Sequence, residues 1–100
     1  MSTYEVITAE QLKARLDAGE KPVMIDVREP EEVAQGMIEG AIHIPMGQIP
    51  DRLHEIPQGE VIFICRSGNR SGKVCEYLSM LGHGKPVNLA GGMLAWAQLI

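Results

Sequence analysis

The feature that most constrains the fold is a series of short apolar segments that alternate with segments of helical spacing. Residues 61–64, Val-Ile-Phe-Ile, contain no polar side chain, and residues 23–27 contain only one, Asp26. Short apolar runs without polar alternation are typical of strands buried on both faces of a parallel sheet. The pattern therefore predicts an α/β domain with a mostly parallel sheet and helices on both faces.

The same pattern, with the turn residues, gives approximate boundaries. Predicted strands cover residues 4–7, 23–27, 41–44, 61–64 and 87–89. Predicted helices begin after Thr8, at residue 29, at residue 49, at residue 71 and after the Gly91-Gly92 pair. Ligands of parallel sheets bind where the strands end. A site is therefore expected in the loops that follow residues 27, 64 and 89.

Composition excludes several classes of protein. One hundred residues correspond to one domain, residues 1–100. Nine Lys and Arg against 13 Asp and Glu give a net charge of −4, which argues against a nucleic-acid coat. Two cysteines are too few for a disulfide scaffold and lack zinc-site spacing, so neither a metal nor another cofactor is predicted.

The expected setting is the cytoplasm. No apolar run approaches the roughly 20 residues that span a bilayer. The first residues, Met-Ser-Thr-Tyr-Glu, do not have the basic and apolar regions of a signal peptide. In a reducing compartment, a cysteine in a polar loop is more often chemical than structural.

The most informative segment is the polar loop at residues 65–71, Cys-Arg-Ser-Gly-Asn-Arg-Ser, which joins an apolar strand to a predicted helix. Loop amides without strand partners can form an anion-binding nest, and the following helix adds its positive end. Two arginines add permanent positive charge. These effects favour a thiolate, so Cys65 is predicted to be a nucleophile with a lowered pKa. The structural alternative is that Cys65 is a buried thiol at the end of a strand.

The other loop residues have separate expected roles. Arg66 is the side chain most free to reach an anionic substrate, and Arg70 either braces the loop or helps to bind. Ser71 is expected to cap the helix, and Gly68 lets the backbone turn. The predicted substrate-binding loop thus consists of Arg66, Ser67, Gly68, Asn69, Arg70 and Ser71.

Spacing argues against two other phosphate-binding interpretations of this segment. A P-loop needs four residues between its glycines and a Ser or Thr after the lysine, whereas this chain has three residues and Val74. Protein tyrosine phosphatases place five residues between the nucleophilic Cys and the Arg that binds phosphate, and here there are four. A smaller cup suits one additional sulfur atom better than a phosphoryl group.

Four segments, taken in order, resemble the single-domain rhodaneses, which are thiosulfate sulfurtransferases. They are residues 26–28 (Asp-Val-Arg), 40–45 (Gly-Ala-Ile-His-Ile-Pro), 65–71, and 89–92 (Leu-Ala-Gly-Gly) with Trp96. The resemblance implies a three-layer domain with a central five-stranded sheet. It also implies that Cys65 takes the outer sulfur of thiosulfate or of a persulfide donor, small molecule or protein, and passes it to a thiol or to cyanide. Met37 stands where the family often has His.

The remaining candidates are expected to play supporting roles. Asp26 and Arg28 are predicted to support the Cys65 loop through hydrogen bonds or an ion pair, the alternative being a local pair that fixes the following turn. Cys75 and His43 are expected to be structural. Two alternative functions stay open: a non-catalytic rhodanese-like binding module, and a small phosphatase or arsenate reductase.

Overall fold

All five strands of the central sheet run parallel, in the order β1-β5-β4-β2-β3. A computed structural model of the chain describes residues 3–100. The first two residues, which belong to the segment considered for a signal peptide, lie outside this range. The strands are β1 (Glu5–Ile7), β2 (Val23–Asp26), β3 (Ile42–His43), β4 (Glu60–Ile64) and β5 (Lys85–Leu89).

Helices and helical turns connect the strands. The α-helices are α1 (Ala9–Asp17), α2 (Pro30–Val33), α3 (Asn69–Leu81) and α4 (Gly92–Ala97), with 3-10 helices at Met46–Gln48 and Pro50–Glu55. Thr8 caps α1 through the predicted capping box with Gln11. None of the helices in the described part of the chain is long and apolar enough to cross a membrane.

Two apolar clusters, one on each face of the sheet, explain why β4 has no polar residue after its first position. Phe63 packs on one face with Val74 and Leu78 of α3. Ile62 and Ile64 point to the other face, toward α1 and α4. Successive side chains of a strand alternate between faces, so a central strand covered on both sides is apolar throughout. The predicted α/β fold, a five-stranded parallel sheet between helices, is confirmed.

The structure corrects one prediction about the loop. Helix α3 begins at Asn69 rather than at Ser71, because Gly68 adopts a φ of +100° and itself takes the capping position. A positive φ is readily accessible only to glycine, and here it turns the chain into the helix within one residue. Ser71 therefore lies inside the first turn of α3, and the prediction that it caps the helix is wrong.

Candidate active site

Cys65 lies directly after β4, at the centre of the carboxyl edge of the sheet, and only 1% of its surface is exposed. Its Sγ accepts a hydrogen bond from the backbone amide of Gly68 at 3.0 Å. The hydroxyl of Ser71 lies 3.2 Å from Sγ, as a second donor. The amides are available because loop residues and the first turn of a helix have no backbone partner of their own. The polar loop thus forms a cup of donors around one sulfur atom.

Two opposing effects set the pKa of Cys65. Burial alone raises the pKa, because it removes water from the thiolate. The hydroxyl of Ser71 and the backbone amides of Ser71, Gly68 and Ser67 outweigh burial, and the pKa falls below its ordinary value. The predicted direction of the shift is therefore found, and hydrogen bonds from the loop are its main source.

Helix α4 holds the start of the loop through two backbone hydrogen bonds. The amides of Met93 and Leu94 donate hydrogen bonds to the carbonyl oxygens of Cys65 and Arg66, at 2.9 and 3.0 Å. This close approach requires a glycine at residue 92. A Cβ atom there would lie 2.6 Å from the carbonyl carbon and oxygen of Arg66, and the φ of Gly92 is +53°. Gly92 thus permits the close approach through which the first residues of α4 hold the backbone of the loop in place.

The two loop arginines occupy different environments. Arg66 is exposed, and within residues 3–100 its guanidinium forms no hydrogen bond or ion pair. Arg70 is half-buried and donates two hydrogen bonds, at 2.7 and 2.8 Å, to the carboxylate of Glu32 in α2. These bonds, and a further one from the amide of Glu29, lower the pKa of Glu32 to about 2. Arg70 therefore braces α3 against α2, and Arg66 is the arginine left free at the rim.

Asp26 and Arg28 form a buried pair beside the site. The guanidinium of Arg28 donates to both carboxylate oxygens of Asp26, at 2.9 to 3.1 Å, and to the carbonyl of Gly36 at 2.7 Å. The ring of His43 bonds to the carbonyl of Arg28 at 2.7 Å. None of the hydrogen bonds of Asp26 and Arg28 found in residues 3–100 reaches the Cys65 loop. The geometry is that of the alternative, a local pair that fixes the chain after β2.

Sequence reasoning missed Asn88 and Glu32. Asn88 is a buried residue of β5 whose side chain contacts both Ser71 and Gly68. A polar residue between Val87 and Leu89, inside the predicted strand 87–89, was the signal that could have found it. In the sequence Glu32 is only an acid at the start of a helix, because nothing pairs it with an arginine 38 residues away.

Cys75 lies in a different setting. It is fully buried in α3 among the apolar cluster that contains Val74 and Leu78. Burial, with the nearby charge of Cys65, raises the pKa of Cys75 to about 12. The expectation that this thiol is structural agrees with its burial, and the residue offers no nucleophile at neutral pH.

A cleft of about 700 Å³ lies elsewhere on the domain. It opens beside Val23, at the start of β2, and Trp96 lines it. It contains none of the predicted site residues, so the site is located by its chemistry and not by cavity size. Within residues 3–100 no three side chains of His, Cys, Asp or Glu are grouped to hold a metal ion.

The arrangement defines a class of α/β domain in which a loop at the end of a central strand surrounds a cysteine sulfur with hydrogen-bond donors. Residues 8–99 match the family model of the rhodanese-like domain. The chain belongs to the rhodanese-like domain family, and the resemblance drawn from the four segments is confirmed.

Individual relatives agree with this assignment. A putative sulfurtransferase of Bacillus subtilis is 50% identical over 97 residues, which cover 96% of this chain and 92% of that protein. A sulfurtransferase of Allochromatium vinosum is 46% identical, covering 92% of this chain and 87% of that protein. The crystal structure of a rhodanese-like domain protein from Staphylococcus aureus superposes with a TM-score of 0.86 at 41% identity, covering 92% and 90% of the two chains. These relationships support sulfur transfer as the general class of activity.

Proposed function

We propose that this protein is a sulfurtransferase that carries sulfane sulfur as a persulfide on Cys65. The observation that supports the proposal is the cup around Sγ, with donors from Gly68 and Ser71 at 3.0 and 3.2 Å. A thiolate held by preorganised donors is a ready nucleophile, and the covalent intermediate divides one transfer into two easier displacements. In this proposal one domain, residues 1–100, carries both half-reactions without a cofactor.

In the first half-reaction the Cys65 thiolate attacks the outer sulfur of thiosulfate. A bond forms between Sγ and that sulfur, the S–S bond of thiosulfate breaks, and sulfite leaves with the electron pair. A persulfide donor, small or on a protein, reacts in the same way and leaves as a thiolate. Exposed Arg66 attracts the anionic donor to the rim, while Ser67 and Asn69, also at the rim, form the surface that it meets.

In the second half-reaction an acceptor thiolate, or cyanide, attacks the outer sulfur of the persulfide. The bond to Sγ breaks, Cys65 regains its electron pair, and the product is a new persulfide or thiocyanate. The thiolate and the persulfide are both anions, so the same amides serve both states. A thiol acceptor must be reduced, which fits the cytoplasmic setting expected from the sequence.

Intact-mass spectrometry after incubation with thiosulfate tests this proposal directly. We expect a gain of one sulfur, about 32 Da, that cyanide removes. Cys65→Ser should gain nothing, whereas Cys75→Ala, the matched control, should gain the full mass. A gain in Cys65→Ser would overturn the assigned nucleophile.

The same experiment, run beside an assay of aryl phosphate hydrolysis, separates the two alternatives. Absence of the gain in the wild-type protein with thiosulfate, glutathione persulfide and polysulfide would favour the non-catalytic binding module. Hydrolysis of an aryl phosphate faster than sulfur uptake would favour the phosphatase. The four-residue spacing between Cys65 and Arg70 argues against that second outcome.

A further inference from the structure

The side chain of Asn88 bridges two residues that supply hydrogen bonds to the reactive sulfur. Its Nδ2 donates to the carbonyl of Gly68 at 3.1 Å, and its Oδ1 accepts from the hydroxyl of Ser71 at 2.6 Å. Gly68 and Ser71 are also the residues whose amide and hydroxyl reach Cys65 Sγ. Asn88 is 8% exposed, and its backbone is fixed between β1 and β4. One rigid residue therefore holds both sides of the cup.

The orientation of the amide follows from what each partner can do. The carbonyl of Gly68 can only accept a hydrogen bond, so Nδ2 must face it, and Oδ1 is left facing Ser71. An amide oxygen also only accepts, so the Ser71 hydroxyl must be the donor between them. The same hydroxyl lies 3.2 Å from Sγ. A hydroxyl has one proton, and here two acceptors compete for it.

We propose that Asn88 is a positioning residue that gives the Ser71 proton a second acceptor, so that the hydroxyl turns between Asn88 Oδ1 and Cys65 Sγ as charge on the sulfur changes. This inference rests on the proposed function, because the charge changes are those of the sulfur-transfer cycle. With Sγ as a thiolate, the hydroxyl donates to Sγ. In the persulfide the charge moves to the outer sulfur, Sγ is neutral, and the hydroxyl donates to Asn88.

The rotation of the Ser71 hydroxyl matters most in the second half-reaction, when Cys65 becomes a thiolate again. When the acceptor removes the outer sulfur, Sγ leaves with an electron pair and becomes an anion, and the hydroxyl turns back toward it. No proton is gained or lost in this step, because the O–H bond rotates without breaking. A buried donor without a partner is costly, and Asn88 keeps the hydroxyl bonded while Sγ needs no donor. Ser71 therefore stabilises the thiolate selectively over the persulfide.

Other charged and titratable groups near the sulfur are few among the described residues. Arg70 is bound to Glu32, and the Cys75 thiol lies behind in α3. The titratable group on the side of β1 is the Tyr4 hydroxyl. Both this hydroxyl and Asn88 Nδ2 lie next to Gly72, where a Cβ atom would be 3.3 Å from each of them. All of these groups are the same in every variant below, so differences between variants report on Asn88 and Ser71.

The test compares two substitutions of similar size, Asn88→Asp and Asn88→Leu. Neither a carboxylate nor an isobutyl group can donate to Gly68, so that loss is common to both. A carboxylate competes strongly for the Ser71 proton, whereas Leu does not compete at all. The readout is the pH midpoint of Cys65 alkylation by iodoacetamide, resolved by peptide mass spectrometry. We expect the midpoint of Asn88→Asp to lie about two pH units above that of Asn88→Leu.

Repeating the pair in a Ser71→Ala background isolates the shared proton. Without the hydroxyl only the repulsion between two negative charges remains, and the difference between the midpoints should shrink to about one unit. An undiminished difference would overturn the proposal. Should Asn88→Leu fail to fold, the shift of Asn88→Asp alone must shrink in the same background, and an undiminished shift is equally fatal.

Val87→Ala controls for a general loss of stability. Val87 precedes Asn88 in β5 and packs in the cluster on the α1 side of the sheet. This variant should melt at a lower temperature with an unchanged alkylation midpoint. Alkylation requires no sulfur donor, so failure of this inference is distinguishable from failure of the proposed function, which would appear as no sulfur gain in the wild-type protein.

Discussion

Cys65 and Cys75 are both buried, at 1% and 0% exposure, yet the pKa of one is lowered and that of the other is raised to about 12. Both thiols pack against the same apolar cluster. The difference is in the hydrogen-bond donors. Cys65 stands in a loop whose amides have no helical or strand partner, whereas Cys75 stands inside α3, where amides are used by the helix itself.

The comparison teaches that burial does not by itself make a cysteine inert or reactive. Burial raises the pKa of both thiols, and only the supply of donors reverses the direction at Cys65. The donors in turn depend on a strand end, a glycine with positive φ and the supporting amides of α4. The lowered pKa of Cys65 therefore reflects the Ser71 hydroxyl and the backbone amides around the sulfur.

The largest expected effect is the difference in alkylation between the two thiols. At pH 7 iodoacetamide should modify Cys65 at least about a thousandfold faster than Cys75, because only a thiolate attacks and the pKa of Cys75 is about 12. Peptide mass spectrometry over time measures both rates in one sample. Comparable rates in the folded protein would remove the basis of the comparison.

Gly92→Ala should reduce the difference between the two thiols, because it displaces the loop that supplies the hydrogen-bond donors to Cys65. The new Cβ would collide with the carbonyl of Arg66 and push the loop away from α4. We expect alkylation of Cys65 and uptake of sulfur at pH 7 to fall about tenfold, and stability to fall by roughly 1–3 kcal/mol.

Gly19→Ala is the matched control for that substitution. Gly19 has a φ of +89°, but no atom lies within 4 Å of the position that a Cβ would take, so the variant carries the backbone strain without the collision. It should lose stability while Cys65 keeps its wild-type alkylation rate. An equal loss of reactivity in both variants would show that the collision with the loop is irrelevant.

The smallest effect is expected from Glu32→Gln, which should widen the difference in pKa between Cys65 and Cys75. The carboxylate of Glu32 balances the charge of Arg70, and Arg70 interacts with the charge of Cys65. Without it the thiolate faces an unbalanced cation, so the alkylation midpoint should fall by less than about half a pH unit. Glu31→Gln removes the same charge from α2 without touching Arg70, and should leave the midpoint unchanged. A rise in the midpoint of Glu32→Gln would contradict the assigned role of Arg70.

The same variant has an acid-stability signature. The pKa of Glu32 is lower in the folded protein, about 2, than its ordinary value of 4.5. Its contribution to stability is therefore complete above pH 4.5 and is lost as the pH falls toward 2. Chemical denaturation between pH 5 and 2 should show a shallower loss of stability in Glu32→Gln than in the wild-type protein.

Much of the fold was predictable because its signals are local. An apolar tetrapeptide identifies the central strand, and the Thr8 capping box marks the start of α1. The signals for the candidate site were also local, since Cys65, the turning glycine and both arginines lie within six residues. Strand ends were less well predicted, as at β3, which pairs over only two residues.

What could not be predicted depends on contacts between distant segments. Ser71 has the side chain of a helix cap, but its hydroxyl bonds instead to Asn88, 17 residues away in another strand. Arg70 was expected near the substrate or the loop, and its partner Glu32 is fixed only by how α2 and α3 pack. A sequence shows which side chains are polar, and the fold decides which of them meet.

Main-chain groups supply several of the donors to the Cys65 sulfur, and this has an evolutionary consequence. Every residue except proline carries the same amide, so exchanges at positions 66, 67 and 69 leave those donors in place. Natural variation at these positions can then alter which molecules are admitted to the rim while the reactivity of the sulfur stays constant. Under the proposed function, selectivity and chemical competence are thereby separable traits in this loop.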